Sequence, residues 1–202
     1  MSDSTLMQGR TSWRRFAAVL VPAAVVVGAI VAGMANGAVA ASFSVSGQQF
    51  KVSADLLHGT GFKQFSALDT TADGKLLPVA GSVIDDASLT NLCQSVNVPN
   101  PLGITIVLRI EAGGNGTPAT AKGLTIGLTE LSGDATFTNI QIGRDGGEVS
   151  GVPALKGSFA QSAQVVDIAG LKQVATSTSA GTFKLTGLNL RVLTGENAKE
   201  CF

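Results

Sequence analysis

The feature that most constrains this chain is a strict alternation of apolar with small or polar residues. In residues 122–130, Leu124, Ile126 and Leu128 are separated by threonine and glycine, and residues 104–111 carry isoleucine or leucine at every even position. Successive side chains of an extended strand point to opposite faces of a sheet, so this period is typical of β-strands. The alternation extends from Phe43 to Leu193 and predicts an all-β domain.

Turn sequences separate the alternating runs. They are Asp73-Gly74, Asn115-Gly116, Asp145-Gly146-Gly147 and Thr194-Gly195. Asp-Gly and Asn-Gly readily adopt the positive φ angles of tight hairpin turns. We therefore predict about ten short strands in an antiparallel sandwich or barrel. Residues 85–96 also fit a short helix, because Leu89, Leu92 and Val96 have helical spacing, but the β-rich context favours a strand.

A four-residue motif recurs, with a large apolar residue at its first and fourth positions and two small or polar residues between them. Its copies are Leu89–Leu92, Leu128–Leu131, Phe137–Ile140, Ile168–Leu171 and Leu185–Leu188. The copies are irregularly spaced, which does not support a strict solenoid repeat. We expect strands to bend or bulge at these positions, including Thr186-Gly187, where the alternation changes phase. An irregular β-helix is the alternative architecture.

The N-terminal part has the composition of a membrane-targeting segment. Three arginines precede a charge-free run, Phe16–Ala35. A helix of about 20 apolar residues can cross the hydrocarbon core of a bilayer. Ala38-Val39-Ala40 also fits a signal-peptide cleavage site, with Ala41 as the first residue of the mature chain. The segment is therefore either a transmembrane helix or a cleaved signal.

Both interpretations give the same topology. Positive charges before an apolar helix stay in the cytoplasm, so Arg10, Arg14 and Arg15 keep the start of the chain inside. We predict a cytoplasmic segment at 1–15, a transmembrane or signal helix at 16–40 and an exported β-rich domain at 41–202. The domain would lie on the outer side of the cell membrane, or be secreted if cleavage separates Ala40 from Ala41.

The exported part contains two cysteines, Cys93 and Cys201, which are 108 positions apart. In an oxidising compartment two cysteines in one domain most simply form one disulfide. A metal site is not predicted, because the single histidine, His58, and two distant cysteines lack the spacing of metal ligands. No residue pattern indicates a cofactor.

Catalytic and nucleic-acid-binding patterns are absent from the sequence. A serine hydrolase needs a base beside its nucleophile, yet His58 is the only histidine and no serine lies in a G-x-S-x-G motif. We therefore predict no catalytic residue. From Ala41 onward 11 Lys and Arg stand against 13 Asp and Glu. This balance excludes the basic surface that nucleic acids require.

Several short motifs resemble those of a known family. They are Arg14-Arg15-Phe16, residues 56–62, Leu92-Cys93-Gln94-Ser95, residues 133–143, residues 180–183 and the final Cys201-Phe202. Together they resemble an actinobacterial family of uncharacterised envelope proteins, anchored or secreted, that often carry the automatic label "cholesterol esterase". In that family a gene for a small multi-span membrane protein often lies alongside, which implies a membrane partner. The resemblance supplies no catalytic residues.

Three hypotheses about function remain open. The first is a non-enzymatic envelope protein with a structural or partner-binding role, and the second is a lipid-binding module with an apolar cavity. The third is the esterase of the family label, which the missing serine motif disfavours. A filled core would favour the first, a cavity of several hundred Å³ the second, and Ser–His–Asp geometry at His58 the third.

Overall fold

A computed structural model of the chain describes residues 47–99, 101 and 103–202. These residues fall within one compact unit, Phe43–Phe202. The strands are β1 (Phe50–Thr70), β2 (Leu76–Thr90), β3 (Leu92–Asn97), β4 (Ile106–Ala112), β5 (Ala119–Thr138), β6 (Gln141–Asp145), β7 (Phe159–Ser179), β8 (Thr182–Lys184) and β9 (Asn189–Thr194). Two 3₁₀ turns, Gly146–Glu148 and Gly195–Asn197, complete the regular elements.

The predicted N-terminal helix at 16–40 and the cleavage candidates Ala40 and Ala41 lie outside the described residues. Among the residues that are described, no helix is long and apolar enough to cross a membrane.

The four longest strands pair in a closed ring. β1 pairs with β2, β2 with β5, β5 with β7, and β7 again with β1. Every pairing between the described strands is antiparallel. The predicted antiparallel all-β fold is therefore confirmed, whereas the β-helix alternative would need parallel strands. The predicted strand length is wrong, because the four ring strands have 15 to 21 residues each.

The four-residue motif occurs where strands are interrupted. In four of its copies the third residue adopts a positive φ: Asn91 (51°), Asn139 (55°), Gly170 (60°) and Gly187 (69°). Asn91 separates β2 from β3, and Asn139 separates β5 from β6. The expected bends thus occur at these positions, and residues 85–96 form strands on both sides of Asn91, as predicted.

These interruptions explain why the four-residue motif begins and ends with a large apolar residue. Residues three apart on a regular strand face opposite sides, but an inserted left-handed residue shifts the pleat by one position. Leu89 and Leu92 consequently reach the same core, as do Ile168 and Leu171. Each of these four side chains is at most 4% exposed.

Neighbouring side chains fill the interior of the ring beside two of its glycines. A Cβ atom at Gly59 would lie 2.6 Å from Ile84 Cγ2, and one at Gly81 would lie 2.7 Å from the Phe65 ring. The space at both glycines is therefore occupied by a neighbouring side chain. The interior of the ring is filled by protein at these two positions.

Strands β3, β4 and β9 extend beyond the ring, and we call them the wing. β3 continues β2 past Asn91, β4 pairs with β3, and β9 pairs with β4. On one face of the wing Leu92 and Ala112 join the core, but Leu108 and Ile110 beyond them are only half-buried. On the other face Val107 is 1% exposed. The apolar residues at even-numbered positions of β4 are therefore less buried than Val107 on the opposite face of the sheet.

The C-terminal residues lie against the wing and β1. The Sγ atoms of Cys93 and Cys201 are 2.01 Å apart, with their Cα atoms 5.9 Å apart. The Cys201 amide donates to the Ser95 hydroxyl at 3.0 Å, and the Lys51 ammonium lies 2.8 Å from the Glu200 carboxylate. A disulfide, a buried hydroxyl and an ion pair thus hold the end of the chain.

Candidate functional site

A groove of about 810 Å³ lies beside the β1–β2 hairpin, and we call it the hairpin groove. Its apolar walls include Ala67 and Leu68 of β1, Pro78 and Ala80 of β2, Leu128 of β5, and Leu155. The remaining lining residues are also uncharged. An uncharged groove of this size offers apolar contact and a few hydroxyl groups, so it suits an apolar ligand.

The hairpin that forms one wall is specified by its turn sequence. Gly74 has a φ of 81°, and its amide donates to the Thr71 carbonyl at 2.9 Å. The Thr71 hydroxyl donates to the Asp73 carboxylate, and this hydrogen bond holds the pKa of Asp73 below its ordinary value. The Asp73-Gly74 hairpin predicted from the sequence is therefore confirmed.

The other predicted turns serve different connections. Asn115 and Gly116 both have positive φ, but they join β4 to β5, which do not pair. Asp145 caps the 3₁₀ turn Gly146–Glu148, and Thr194-Gly195 leads from β9 into Gly195–Asn197. Three of the four predicted turn sequences therefore connect elements without forming a β-hairpin.

The opposite wall of the groove comes from the loop after the first 3₁₀ turn. The Asp145 carboxylate accepts hydrogen bonds from the amides of Gly147 (2.8 Å) and Gly157 (2.9 Å), which closes this loop at its base. A small core of Phe65, Val149 and Ala160 packs beneath it. These contacts fix the loop while Leu155 remains 76% exposed.

The described chain begins beside the hairpin groove. The Gln49 amide donates to the hydroxyl of Thr129, a groove residue, at 3.3 Å. A Cβ atom at Gly47 would lie 3.2 Å from Thr71 Cγ2. Residues 47–49, the first that the structure describes, therefore lie close to the groove.

His58, the histidine singled out by the sequence, lies on the outer face of the ring. In the sheet register it stands opposite Asp167 of β7 on one side and Ser88 of β2 on the other. Its Nδ1 lies 2.7 Å from the Asp167 carboxylate. No sequence pattern indicates Asp167 as the partner of His58, because it is 109 residues away and only the β1–β7 register brings the two together.

This row has the residue types of a hydrolase triad but lacks the contact between serine and histidine. Ser88 makes no hydrogen bond to His58 in the part of the chain that the structure describes. The side chains of His58 and Asp167 are 49% and 42% exposed. A serine nucleophile needs a base within hydrogen-bonding reach, and strong electrostatic catalysis needs a site that excludes water. The geometry at His58 therefore gives the esterase hypothesis no support beyond the histidine–aspartate pair.

Among the described residues, no three His, Cys, Asp or Glu side chains come together in a group that could hold a metal ion. Asp145, at the end of β6, acts instead as a hydrogen-bond acceptor for two amides.

Comparison with known proteins adds one relationship. The family of unknown function DUF6230 matches residues 46–202, a range that contains all nine strands. The chain belongs to this family. No curated protein and no solved structure is similar enough to count as a match. The hairpin groove and the His58 row are therefore features of a DUF6230 domain.

Proposed function

We propose that this domain is exported and acts on the outer side of the cell membrane as a non-enzymatic binding module, with a lipid as its ligand. The charge pattern before the apolar segment supports export, because Arg10, Arg14 and Arg15 precede a run without charges. The resemblance to actinobacterial envelope proteins supports the same location.

The hairpin groove is the observation that supports a lipid as the ligand. Ligand pockets commonly have volumes of about 300–1,000 Å³ and mostly apolar walls. The groove has about 810 Å³ and no charged residue in its lining. An ionic ligand would find no opposite charge in this lining, which costs free energy wherever the ligand is removed from water. An acyl chain or another apolar chain can occupy the groove without this cost in free energy.

The position of the groove along the chain also favours a membrane-derived ligand. Six residues, 41–46, separate the predicted helix at 16–40 from Gly47. Six extended residues span at most about 22 Å. If the helix is retained as an anchor, this short connection tethers the domain to the bilayer that supplies lipids.

Export has a direct test. Protease added to cells with a permeable wall and an intact membrane should digest the domain after Ala41, because the positive-inside rule places it outside. The fragments are detected with an antibody against the C-terminal part. A cytoplasmic protein of the same cells is the control and should stay intact. Complete protection of the domain under these conditions would contradict the proposed topology.

Lipid binding is tested in full-length protein purified from its native membrane. Organic extraction followed by mass spectrometry should recover lipid from the wild type. Leu155→Asp should lower the recovered amount by about tenfold or more, because it brings a carboxylate into the uncharged groove. Ile142→Asp is the matched control, since Ile142 is 67% exposed and does not line the groove.

Two outcomes would count against this function. Equal lipid recovery from Leu155→Asp and Ile142→Asp would mean that the groove is not the binding site. Turnover of acyl esters by the wild type that is lost in His58→Ala, with equal melting temperatures, would instead favour the esterase hypothesis. We expect His58→Ala to retain its lipid, because His58 lies outside the groove.

A further inference from the structure

The wing exposes an apolar face that carries no charge in two neighbouring rows of residues. In one row Val96, Leu108 and Val192 lie side by side across β3, β4 and β9. In the next row Gln94, Ile110 and Leu190 do the same. Leu190 is 55% and Val192 is 62% exposed.

β9 is also an edge strand. Within the described residues it pairs only with β4, in a register without shifts, and it contains no proline. Its one charged side chain, Arg191, points to the other face and pairs with Glu111. The outward amides and carbonyls of β9 are therefore available to another strand.

The edge strand at the opposite end of the sheet differs. The register of β6 shifts between Ile142 and Arg144, and two of its five residues, Arg144 and Asp145, are charged. Natural proteins protect free edges with bulges and charges of this kind, because unprotected edges pair with other chains. β6 has the protection that β9 lacks. This difference indicates that β9 is used for pairing.

We propose that two copies of this chain pair through β9 in an antiparallel, two-fold arrangement centred on Leu190. Leu190 then stands opposite Leu190 of the second copy, and Val192 stands opposite Leu188. Leu188 is 53% exposed, so the seam brings together three exposed aliphatic positions from each copy. Cross-strand aliphatic contacts and the backbone hydrogen bonds of two edges stabilise such a pair.

Charge favours this register over the one centred a residue later. The apolar face offers no charge in these rows to attract an acidic or basic partner, whereas β9 matches itself. Centred on Leu190, the pairing sets Arg191 opposite Asn189. Centred one residue later, it would set Arg191 against Arg191, and like charges directly opposite each other destabilise a sheet. The favoured register also keeps the apolar residues of both copies on one face.

Thiol cross-linking tests the register in the full-length chain, purified in detergent. Leu190→Cys should give a disulfide-linked dimer on mild oxidation, because the two new thiols lie on directly opposed residues. Leu188→Cys and Val192→Cys should each give no disulfide-linked dimer alone, and should cross-link when the two variants are mixed. Ile142→Cys is the control for random collision, since Ile142 is 67% exposed on the protected edge β6.

Sedimentation of the full-length wild type should give the mass of a dimer. The Leu190→Lys variant should give the mass of a monomer. A monomer mass for the wild type, together with no cross-link in Leu190→Cys, would overturn the proposal. Equal cross-linking of Ile142→Cys and Leu190→Cys would also overturn it. A cross-link from Leu190→Cys to a different protein would replace the second copy with that partner.

Discussion

Replacement of Cys93 and Cys201 together by serine should lower the free energy of unfolding by about 4–5 kcal/mol. The disulfide closes a loop across 108 positions, and a loop of that size restricts the unfolded chain by about this amount in a chain-entropy treatment. For a chain of this length the loss corresponds to a fall in melting temperature of about 10–15 °C. The effect is large because the bond joins two residues that are far apart in sequence.

Melting of oxidised wild type, reduced wild type and the double serine variant measures this effect. Reduction should lower the melting temperature of the wild type to that of the variant and leave the variant unchanged. The Lys51–Glu200 ion pair and the Ser95 hydrogen bond remain available to the tail in all samples. A wild-type melting temperature that does not respond to reductant would show that the cysteines are unpaired or that the bond adds no stability.

Gly113→Ala should destabilise the domain by about 3 kcal/mol or more. Gly113 follows β4 with a φ of 73°, which costs an L-residue about 1–2 kcal/mol. In addition, its Cβ would lie 2.5 Å from the Leu89 carbonyl oxygen and 2.6 Å from the Ala119 amide nitrogen. Both atoms belong to backbone that is paired in the sheet, so neither can move away cheaply.

Gly116→Ala is the matched control for this substitution. Gly116 has nearly the same φ, 75°, but nothing lies within 4 Å of the position that an added Cβ atom would take. Chemical denaturation of both variants separates the cost of the backbone angle from the cost of the clash. Gly116→Ala should lose only about 1–2 kcal/mol. Equal losses in the two variants would mean that the corner of the sheet relaxes around the added methyl group.

Local sequence patterns predicted those parts of the fold that depend on neighbouring residues. The alternation of Leu124, Ile126 and Leu128 corresponds to side chains that are at most 5% exposed. The same pattern in β4 is misleading, because Leu108 and Ile110 lie on the wing, beyond the part of the sheet that the core covers. Alternation reports that a strand has an apolar side, whereas the rest of the chain determines whether that side is covered.

The hairpin groove could not be predicted from the sequence. Its walls come from β1, β2, β5 and the loop that carries Leu155, and no single segment contains enough of them to form a pattern. The pair of His58 and Asp167 was missed for the same reason. Conversely, the Asp73-Gly74 hairpin depends on four successive residues and was predicted correctly.

The pairing of β1 with β7 determines the order in which this domain can assemble. When β1 leaves the ribosome, one of its edges lacks a partner, because residues such as Asp167 follow 109 positions later. Sheets built from contacts so distant in sequence fold slowly. Until β7 is available, β1 and β2 expose an edge and aliphatic side chains that can aggregate. Closure of the ring is therefore a late event in the folding of this domain, and under the proposed export it would follow the passage of β7 across the membrane.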